Sequence, residues 1–333
     1  MTSNNIRILI YNSKLPNNNF HLARCLKRAF DQIEGVESAI AHPHTLGLLS
    51  RTFDPAAVVA FGGEEITSET ISVLGDIKRS QTIPWILWTT EDPFELEVTQ
   101  TIAPFFDMVL TSDKGSLYAY ADHPSSHYVP LAADRQLHYR PVRSEPERIL
   151  YDLVFVGTAW PNRISFLSEL HERMTEASLR PRFLVPTNPS LPKNSLDKIG
   201  EPFEREVRVA PKDLGMLQNQ SRFALTVLRE FSRHSKTARP QTSPTNRFFE
   251  TALAGTGQIF VSEAFDIASF YEEIGPHVLQ PESISQIIEA LKAAKQDPLS
   301  RNAAAAALQE FVISNHLYYH RALQILSLLG LRV

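Results

Sequence analysis

Short apolar runs alternate with helical segments in the first part of the chain. Ile6–Tyr11 is mostly apolar, which is typical of a buried strand, and Phe20–Ile33 carries apolar residues at helical spacing. A polar loop with three consecutive asparagines separates them and lacks the Gly-x-Gly-x-x-Gly fingerprint of dinucleotide-binding folds. Further strands are predicted at Ala57–Phe61, Pro84–Trp88, Met108–Ser112 and Ser126–Leu131, with helices at Thr67–Arg79 and Phe94–Ile102. This alternation predicts a doubly wound α/β domain.

The same alternation begins again after a polar stretch. Gln136–Arg148 is charged and holds two prolines, which predicts a linker. Tyr151–Thr158 then predicts a strand, and Arg163–Met174 a helix. Later strands are predicted at Arg182–Val185, Phe223–Leu228, Gln258–Val261 and His277–Leu279, with helices at Asp213–Gln220, Ile267–Ile274, Ile284–Lys295 and Arg301–Leu329. We therefore predict domains over residues 1–140 and 149–305 and a final helix over 306–333.

Composition and charge exclude several classes of protein. A chain of 333 residues is too long for most single cores, which also favours two domains. The net charge of −4 offers no general basic field, so we expect no nucleic-acid partner. The single cysteine, Cys25, excludes an internal disulfide and a cysteine-rich metal site. No apolar leader follows Met1 and no run is long enough to cross a bilayer. We expect a cytoplasmic protein, with peripheral membrane contact and oligomeric state left open.

The densest group of candidate binding residues lies around the start of a short predicted helix. Ser243 is a suitable N-cap, and Pro244 fits the first turn. The free N–H groups of such a helix start favour phosphate, and Arg247 would add a forked donor next to Asn246. Glu250 lies three residues after Arg247, on roughly the same face, and could accept from a ribose diol. The alternative is an ordinary surface helix with an Arg–Glu pair.

A second candidate phosphate site follows the strand that opens the C-terminal half. The strand ends at Gly157 and Thr158, and the loop after it contains Asn162 and Arg163. Backbone N–H groups and a guanidinium in this arrangement can hold a diphosphate. An ordinary strand–helix turn with an exposed arginine is the alternative.

Candidate bases lie in the N-terminal half. Asp92 directly follows a strongly apolar strand, where the functional groups of open α/β sheets cluster, but it can equally cap a helix at Pro93. His21 opens the first predicted helix and is either a base or a solvent-exposed side chain. His316 and His320 have a spacing that can ligate a metal, yet no further ligand is evident, which favours packing. No Asp-x-Asp pair occurs, so we expect no metal cofactor.

The run Asn246-Arg247-Phe248-Phe249-Glu250, with Gly255 after it, resembles the Asn-Arg-x-Phe-Glu-x-x-x-x-Gly motif of a bacterial family of GT-B type glycosyltransferases that includes the spore protein CgeB. The strand ending at Gly157, followed by Asn162-Arg163, also resembles this family. The resemblance implies two Rossmann-like domains facing a cleft, with a C-terminal helix crossing back to the first. It also implies that Glu250 binds the ribose of a nucleotide sugar. Many GT-B enzymes carry another glutamate eight residues earlier, where this chain has Thr242.

By this resemblance we predict a hexosyltransferase-like enzyme that moves a sugar from a nucleotide-diphosphate sugar to an unidentified glycan, protein or small-molecule acceptor. Arginines and helix N-termini would take the place of a metal at the leaving diphosphate. The predicted donor site comprises Gly157, Thr158, Asn162, Arg163, Ser243, Asn246, Arg247 and Glu250, with Arg247 also stabilising the departing charge. An inverting enzyme would need a base, for which Asp92 and His21 are the candidates. The alternatives are a nucleotide-sugar epimerase of GT-B fold and a non-catalytic binding protein.

Overall fold

The chain folds around two parallel β-sheets, which belong to two separate units. The computed structural model describes residues 5–12, 21–63, 66–143, 149–185, 209–230 and 240–332. Most of the predicted polar loop after the first strand lies outside these residues. The first unit comprises Met1–Ala132, Ser232–Ser243 and Tyr318–Val333, and the second comprises Ala133–Phe231 and Pro244–Leu317.

The strands and helices have the following bounds. The strands are β1 (Ile6–Tyr11), β2 (Val36–Ala41), β3 (Ala57–Phe61), β4 (Trp85–Thr89), β5 (Met108–Thr111), β6 (Ser126–Tyr128), β7 (Tyr151–Val156), β8 (Pro181–Leu184), β9 (Ser221–Val227), β10 (Gly257–Val261) and β11 (Val278–Leu279). The helices are α1 (Leu22–Asp31), α2 (Leu46–Thr52), α3 (Ser68–Ser80), α4 (Leu96–Ile102), α5 (Arg135–His138), α6 (Pro161–Glu176), α7 (Pro211–Asn219), α8 (Asn246–Leu253), α9 (Ile284–Gln296), α10 (Pro298–Asn315) and α11 (Tyr318–Leu328).

The sheet of the first unit is parallel throughout, in the order β2-β1-β3-β4-β5-β6. Its central strands β3 and β4 are buried on both faces, as helices on both sides of a doubly wound sheet require. Trp85 and Trp88 of β4 are fully buried in this core. The edge strand β2 was not predicted, because its sequence Val-Glu-Ser-Ala-Ile-Ala is partly polar and only half-buried. The predicted doubly wound fold is confirmed.

The sheet of the second unit is also parallel, in the order β11-β10-β9-β7-β8. Its central strand β9 is buried along its whole length. Because β9 lies between β7 and β10, the loops after β7 and β9 leave the sheet side by side. Helix α8 precedes β10, so its N-terminus lies at the edge of the sheet where the strands end. This edge is where open α/β sheets bind ligands.

The predicted linker is wrong for the part that the structure describes. Residues 135–143 pack into the second unit, where the backbone N–H of Arg140 donates to the carbonyl of Leu253 (2.9 Å). The side-chain amide of Gln309 donates to the carbonyl of Arg140 (2.8 Å), and that of Asn219 donates to the carbonyl of Pro141 (2.9 Å). Polar composition here reflects backbone groups paired with side chains rather than a solvated connection. Residues 144–148 lie outside the described part, and the predicted domain limits stay a prediction.

The predicted final helix is two helices with a break at His316 and Leu317. The His316 ring stacks on Phe249 (centroids 4.8 Å apart), and its carbonyl accepts the N–H of Ala133 (3.1 Å), which ends α10 inside the second unit. Helix α11 instead belongs to the first unit, where it packs on α1. There Nε of Arg321 donates to the carbonyl of Pro130 (2.7 Å). The C-terminal helix therefore returns to the first unit, as predicted. No helix in the described ranges is long and apolar enough to span a membrane.

Candidate functional site

The first turn of α8 brings together an amide, a guanidinium and a carboxylate. Asn246, Arg247 and Glu250 are spaced three and four residues apart, so they share one face of the helix. Nδ2 of Asn246 donates to Oε1 of Glu250 (3.0 Å), and Nη1 of Arg247 lies 3.1 Å from Oε2. Glu250 is only 2% exposed, whereas the Arg247 side chain is 31% exposed. The carboxylate is therefore buried, and the cation that covers its Oε2 is partly solvated.

A histidine that the sequence analysis missed stands beside this carboxylate. His138, at the end of α5, is 1% exposed, and its Nε2 lies 3.8 Å from Oε1 of Glu250. The backbone N–H of Asp134 donates to Nδ1 of His138 (3.1 Å). A ring nitrogen that accepts a hydrogen bond carries no proton, so the neutral ring is protonated on Nε2. The sequence analysis did not select His138 because it lies within the predicted linker. The available signal was Asp134, which caps the short helix α5 by accepting the N–H of Leu137.

The structure corrects the expected start of α8. Its N-cap is Thr245, which remains extended and makes no side-chain capping bond, so the helix begins at Asn246. Ser243 is not the cap, because its Oγ accepts the backbone N–H of Lys114 (2.8 Å). Both residues of that bond belong to the first unit. A role for Ser243 in donor binding stays a prediction, with its hydroxyl engaged elsewhere in this structure.

Thr242 also bonds within the first unit, to a buried aspartate. Its backbone N–H and its Oγ1 both donate to Oδ1 of Asp113 (2.7 and 2.9 Å), and Oγ1 accepts the N–H of Gly115 (2.7 Å). Burial raises the pKa of the Asp113 carboxyl, while hydrogen bonds from Thr242 and Ser116 act in the opposite direction. The residue at the position of the second glutamate in many GT-B enzymes is thus bonded to the segment that follows β5.

The loop after β7 is shaped by Gly157 and Arg163. Nη1 of Arg163 donates to the carbonyl of Thr158 (3.2 Å), and its guanidinium lies 5.9 Å from the Phe155 ring centroid. A Cβ at Gly157 would come within 2.9 Å of Phe155 and 3.4 Å of Nη1 of Arg163, so only glycine leaves room for this packing. The N–H of Gly157 donates to the carbonyl of Leu184 (3.2 Å), so it continues the sheet and does not point at a ligand, contrary to our expectation. Arg163 is folded against the loop rather than extended into solvent.

Two further contacts join the ends of β7 and β9. Nδ2 of Asn162 donates to the carbonyl of Leu228 (3.0 Å), which ties the first turn of α6 to the end of β9. The guanidinium of Arg229 lies 4.3 Å from the Trp160 ring centroid, a cation–π contact at the N-cap of α6. Arg229 was also missed, since nothing in its local sequence marks it. Arginines therefore accompany the starts of both α6 and α8 at this edge of the sheet.

Asp92, a candidate base, is buried in the first unit and only 2% exposed. Its Oδ2 accepts from the hydroxyls of Thr89 (2.6 Å), Thr111 (2.8 Å) and Tyr120 (2.8 Å), and its Oδ1 from Thr99 (3.1 Å). Burial raises the pKa of the Asp92 carboxyl, and the hydroxyl hydrogen bonds lower it. A carboxyl group that is 2% exposed and held by four hydroxyls is shielded from solvent, so the geometry favours a structural role over that of a base.

His21, the other candidate base, lies at the N-cap position of α1 and makes no side-chain capping bond. Its carbonyl accepts the N–H groups of Arg24 (3.1 Å) and Cys25 (3.2 Å), which begins the helix. Its side chain is half-buried. Its assignment as a base stays a prediction.

Comparison with known sequences places the chain in a family through its C-terminal part. Residues 135–327, more than half of the chain, match the model of a family described as glycosyl transferase-like. The spore protein CgeB of Bacillus subtilis (strain 168) is 23% identical over 119 residues. That match covers 35% of this chain and 36% of CgeB, so it spans only about a third of the relative.

Comparison with solved structures identifies the fold over nearly the whole chain. Anabaena Alr3699/HepE, in complex with UDP and glucose, has a TM-score of 0.63 at 10% identity and covers 98% of this chain and 99% of its own. The sucrose-phosphate synthase tll1590 of Thermosynechococcus elongatus has a TM-score of 0.61 at 11% identity, with 97% and 98% covered. A UDP-N-acetylglucosamine 2-epimerase has a TM-score of 0.50 at 11% identity, with 98% and 97% covered. Taken with the family match, these results show that the chain belongs to the glycosyl transferase-like family and has the GT-B fold.

Proposed function

We propose that the protein is a glycosyltransferase that takes a sugar from a nucleoside-diphosphate sugar, bound by its second unit, and transfers it to an acceptor still to be identified. The observation that carries this proposal is the arrangement at the start of α8. There, the buried carboxylate of Glu250 pairs with Asn246 and with the partly exposed Arg247, at the sheet edge where the strands end. The family match includes this segment.

Glu250 would bind the nucleotide through its ribose. A carboxylate accepts hydrogen bonds from both hydroxyls of a diol, and charged acceptors make the stronger bonds. Oε1 already accepts from Asn246, so Oε2 is the oxygen available for exchange. Arg247, which covers Oε2, would leave it when the ribose arrives and turn its guanidinium to the diphosphate.

The starts of α6 and α8 would hold the diphosphate. Helix N-termini present N–H groups and a positive dipole end, and Arg163, Arg229 and Arg247 add guanidinium charge at the same edge. The negative charge on the diphosphate grows as the sugar–phosphate bond breaks, so these groups stabilise the transition state more than the bound substrate. This set of cations supports the proposal that the reaction proceeds without a metal.

The likeness to structures that contain UDP makes uridine nucleotides the first donors to test. The purified protein would be incubated with a panel of nucleotide sugars, with and without candidate acceptors, while free nucleoside diphosphate is measured. Release that depends on an acceptor supports transfer. Interconversion of two nucleotide sugars without release would favour the epimerase alternative, and a thermal shift without turnover would favour a binding protein.

A matched pair of variants connects this assay to the site. Glu250→Gln removes the charge but keeps the shape, and should weaken nucleoside diphosphate binding by about tenfold or more, since a hydrogen bond to a charged group contributes about 1.5–3 kcal/mol. Glu289→Gln makes the same change on the exposed face of α9, where Glu289 pairs only with Lys292 among the described residues. It should bind like the wild type. Equal affinity of all three proteins in calorimetry would show that Glu250 does not contact the nucleotide.

A further inference from the structure

A buried histidine lies behind the carboxylate that the proposed function assigns to the ribose. Nε2 of His138 lies 3.8 Å from Oε1 of Glu250, whereas Nη1 of Arg247 lies 3.1 Å from the other oxygen, Oε2. Its tautomer is set by Asp134, whose backbone N–H donates to Nδ1. The ring therefore directs an N–H dipole toward the carboxylate and cannot offer it a lone pair.

The position of this ring is determined by backbone contacts. The side chain of Asp134 caps α5 by accepting the N–H of Leu137 (3.0 Å). On the other side, a Cβ at Gly215 of α7 would come within 3.3 Å of the carbonyl of His138, so α7 closes directly onto α5. Two residues further, Arg140 donates its N–H to Leu253 at the end of α8. Helix α5 is thus held between α7 and the helix that carries Glu250.

The two oxygens of Glu250 have different surroundings. Oε1 is held by the amide of Asn246 and faces the ring of His138, which is 1% exposed. Oε2 is covered by Arg247, whose side chain is partly exposed. A ligand arriving from solvent can displace the partly exposed arginine more readily than the buried histidine.

We propose that His138 is a positioning residue for Glu250. Together with Asn246 it holds Oε1 on the buried side, so that Oε2 is presented to the ribose diol of a nucleoside diphosphate. This inference rests on the proposed function, because Oε2 accepts hydrogen bonds from a ribose only if the protein binds a nucleotide. His138 itself does not touch the nucleotide and acts only through the orientation and charge of the carboxylate.

The test compares four substitutions in the full chain by titration calorimetry with UDP, GDP and ADP. His138→Leu should weaken nucleotide affinity by about tenfold, the usual order of coupling between neighbouring charged and polar groups. His138→Gln should recover most of the loss, because its amide N–H reaches the carboxylate. His138→Asn should not, because its shorter amide can satisfy Asp134 but cannot reach Glu250. Thr251→Val, the matched control, removes the buried hydroxyl that accepts from Gln218 (2.7 Å) and should keep wild-type affinity.

The effect must also depend on Glu250. In a Glu250→Gln background, His138→Leu should cause no further loss of affinity, since the charge that it positions is already absent. An equal loss in both backgrounds would overturn the proposal, as would full affinity in His138→Asn combined with a loss in His138→Gln. The comparison of His138→Gln with His138→Asn decides the matter if His138→Leu does not fold.

A failure of the proposed function gives a different result. If the wild-type protein binds none of the nucleotides, the ribose-binding role of Glu250 is wrong. The contact between His138 and Glu250 is then tested without ligand, by urea unfolding of His138→Asn, Glu250→Gln and the double variant. Non-additive losses of stability support the positioning of Glu250 by His138, and strictly additive losses overturn it.

Discussion

Asp92→Asn separates a structural role for this buried aspartate from a catalytic one. The substitution keeps the size of the side chain but removes its charge. Oδ2 accepts from Thr89, Thr111 and Tyr120, which come from three different segments of the first unit. An asparagine places an NH₂ group where one of the two oxygens stood, so at least one hydroxyl must turn away or lose its acceptor.

The loss of stability in Asp92→Asn depends on whether those hydroxyls can donate to other acceptors. The hydroxyl of Tyr120 also lies 2.7 Å from Oγ1 of Thr99, and Oγ1 of Thr111 lies 3.3 Å from the carbonyl of Asp113. Because second acceptors are within reach, we expect a loss of about 1–2 kcal/mol in the free energy of unfolding rather than the full cost of several unpaired groups. Asp92→Ala, which also leaves a cavity, should cost more.

The pH dependence of this loss has a definite sign. Burial raises the pKa of Asp92 in the folded protein above that of the unfolded chain. The stability that the protonated carboxyl contributes is therefore fully present below the unfolded pKa of about 3.9 and is lost as pH rises through the folded-state value. The difference between wild type and Asp92→Asn should be largest at acid pH and should shrink toward neutral pH.

The assay is urea unfolding of wild type, Asp92→Asn and the exposed control Asp122→Asn over a pH series, together with a turnover measurement at neutral pH. The control should follow the wild type at every pH. A variant at Asp92 that unfolds like the wild type throughout, yet has lost turnover, would refute the structural interpretation and restore Asp92 as the base.

Three further predictions follow from the site and its supports. Arg163→Ala and Arg247→Ala should each lower turnover more than donor affinity and be non-additive when combined, with lysine rescuing only part of the loss; additivity in steady-state kinetics would show that they do not share a diphosphate. Activity should survive EDTA, and a complete loss restored by magnesium or manganese would contradict the metal-independent site. Gly115→Ala should lower the free energy of unfolding by about 1–3 kcal/mol, because its Cβ would overlap the Thr242 hydroxyl. Gly47→Ala in α2, where nothing lies within 4 Å of a new Cβ, is the control and should unfold no earlier than the wild type.

The sequence alone was sufficient to predict those strands and site residues whose contacts are local in the chain. The central strands of both sheets are mostly apolar runs, so their positions did not depend on knowing their partners. The grouping of Asn246, Arg247 and Glu250 also follows from spacing, because residues three and four apart on a helix must be neighbours. The motif around them was enough to indicate the family.

The residues that surround the Glu250 carboxylate could be identified only from the tertiary structure. His138 is more than a hundred residues away from Glu250 in the chain and reaches it only because α5 packs against α7 and α8. The polar composition of its segment predicted a linker, since a sequence does not reveal which polar backbone groups will be paired in the interior.

Long-range packing also explains why the sequence did not reveal the surroundings of the candidate base Asp92 or the true N-cap of α8. Asp92 follows a strand, as a catalytic residue does, but the hydroxyls of Thr111 and Tyr120, from later in the chain, enclose it. Ser243 has the composition of an N-cap, yet the N–H of Lys114 takes its hydroxyl. Local pattern determines which groups a residue can offer, whereas the long-range packing of the chain determines which partner takes them.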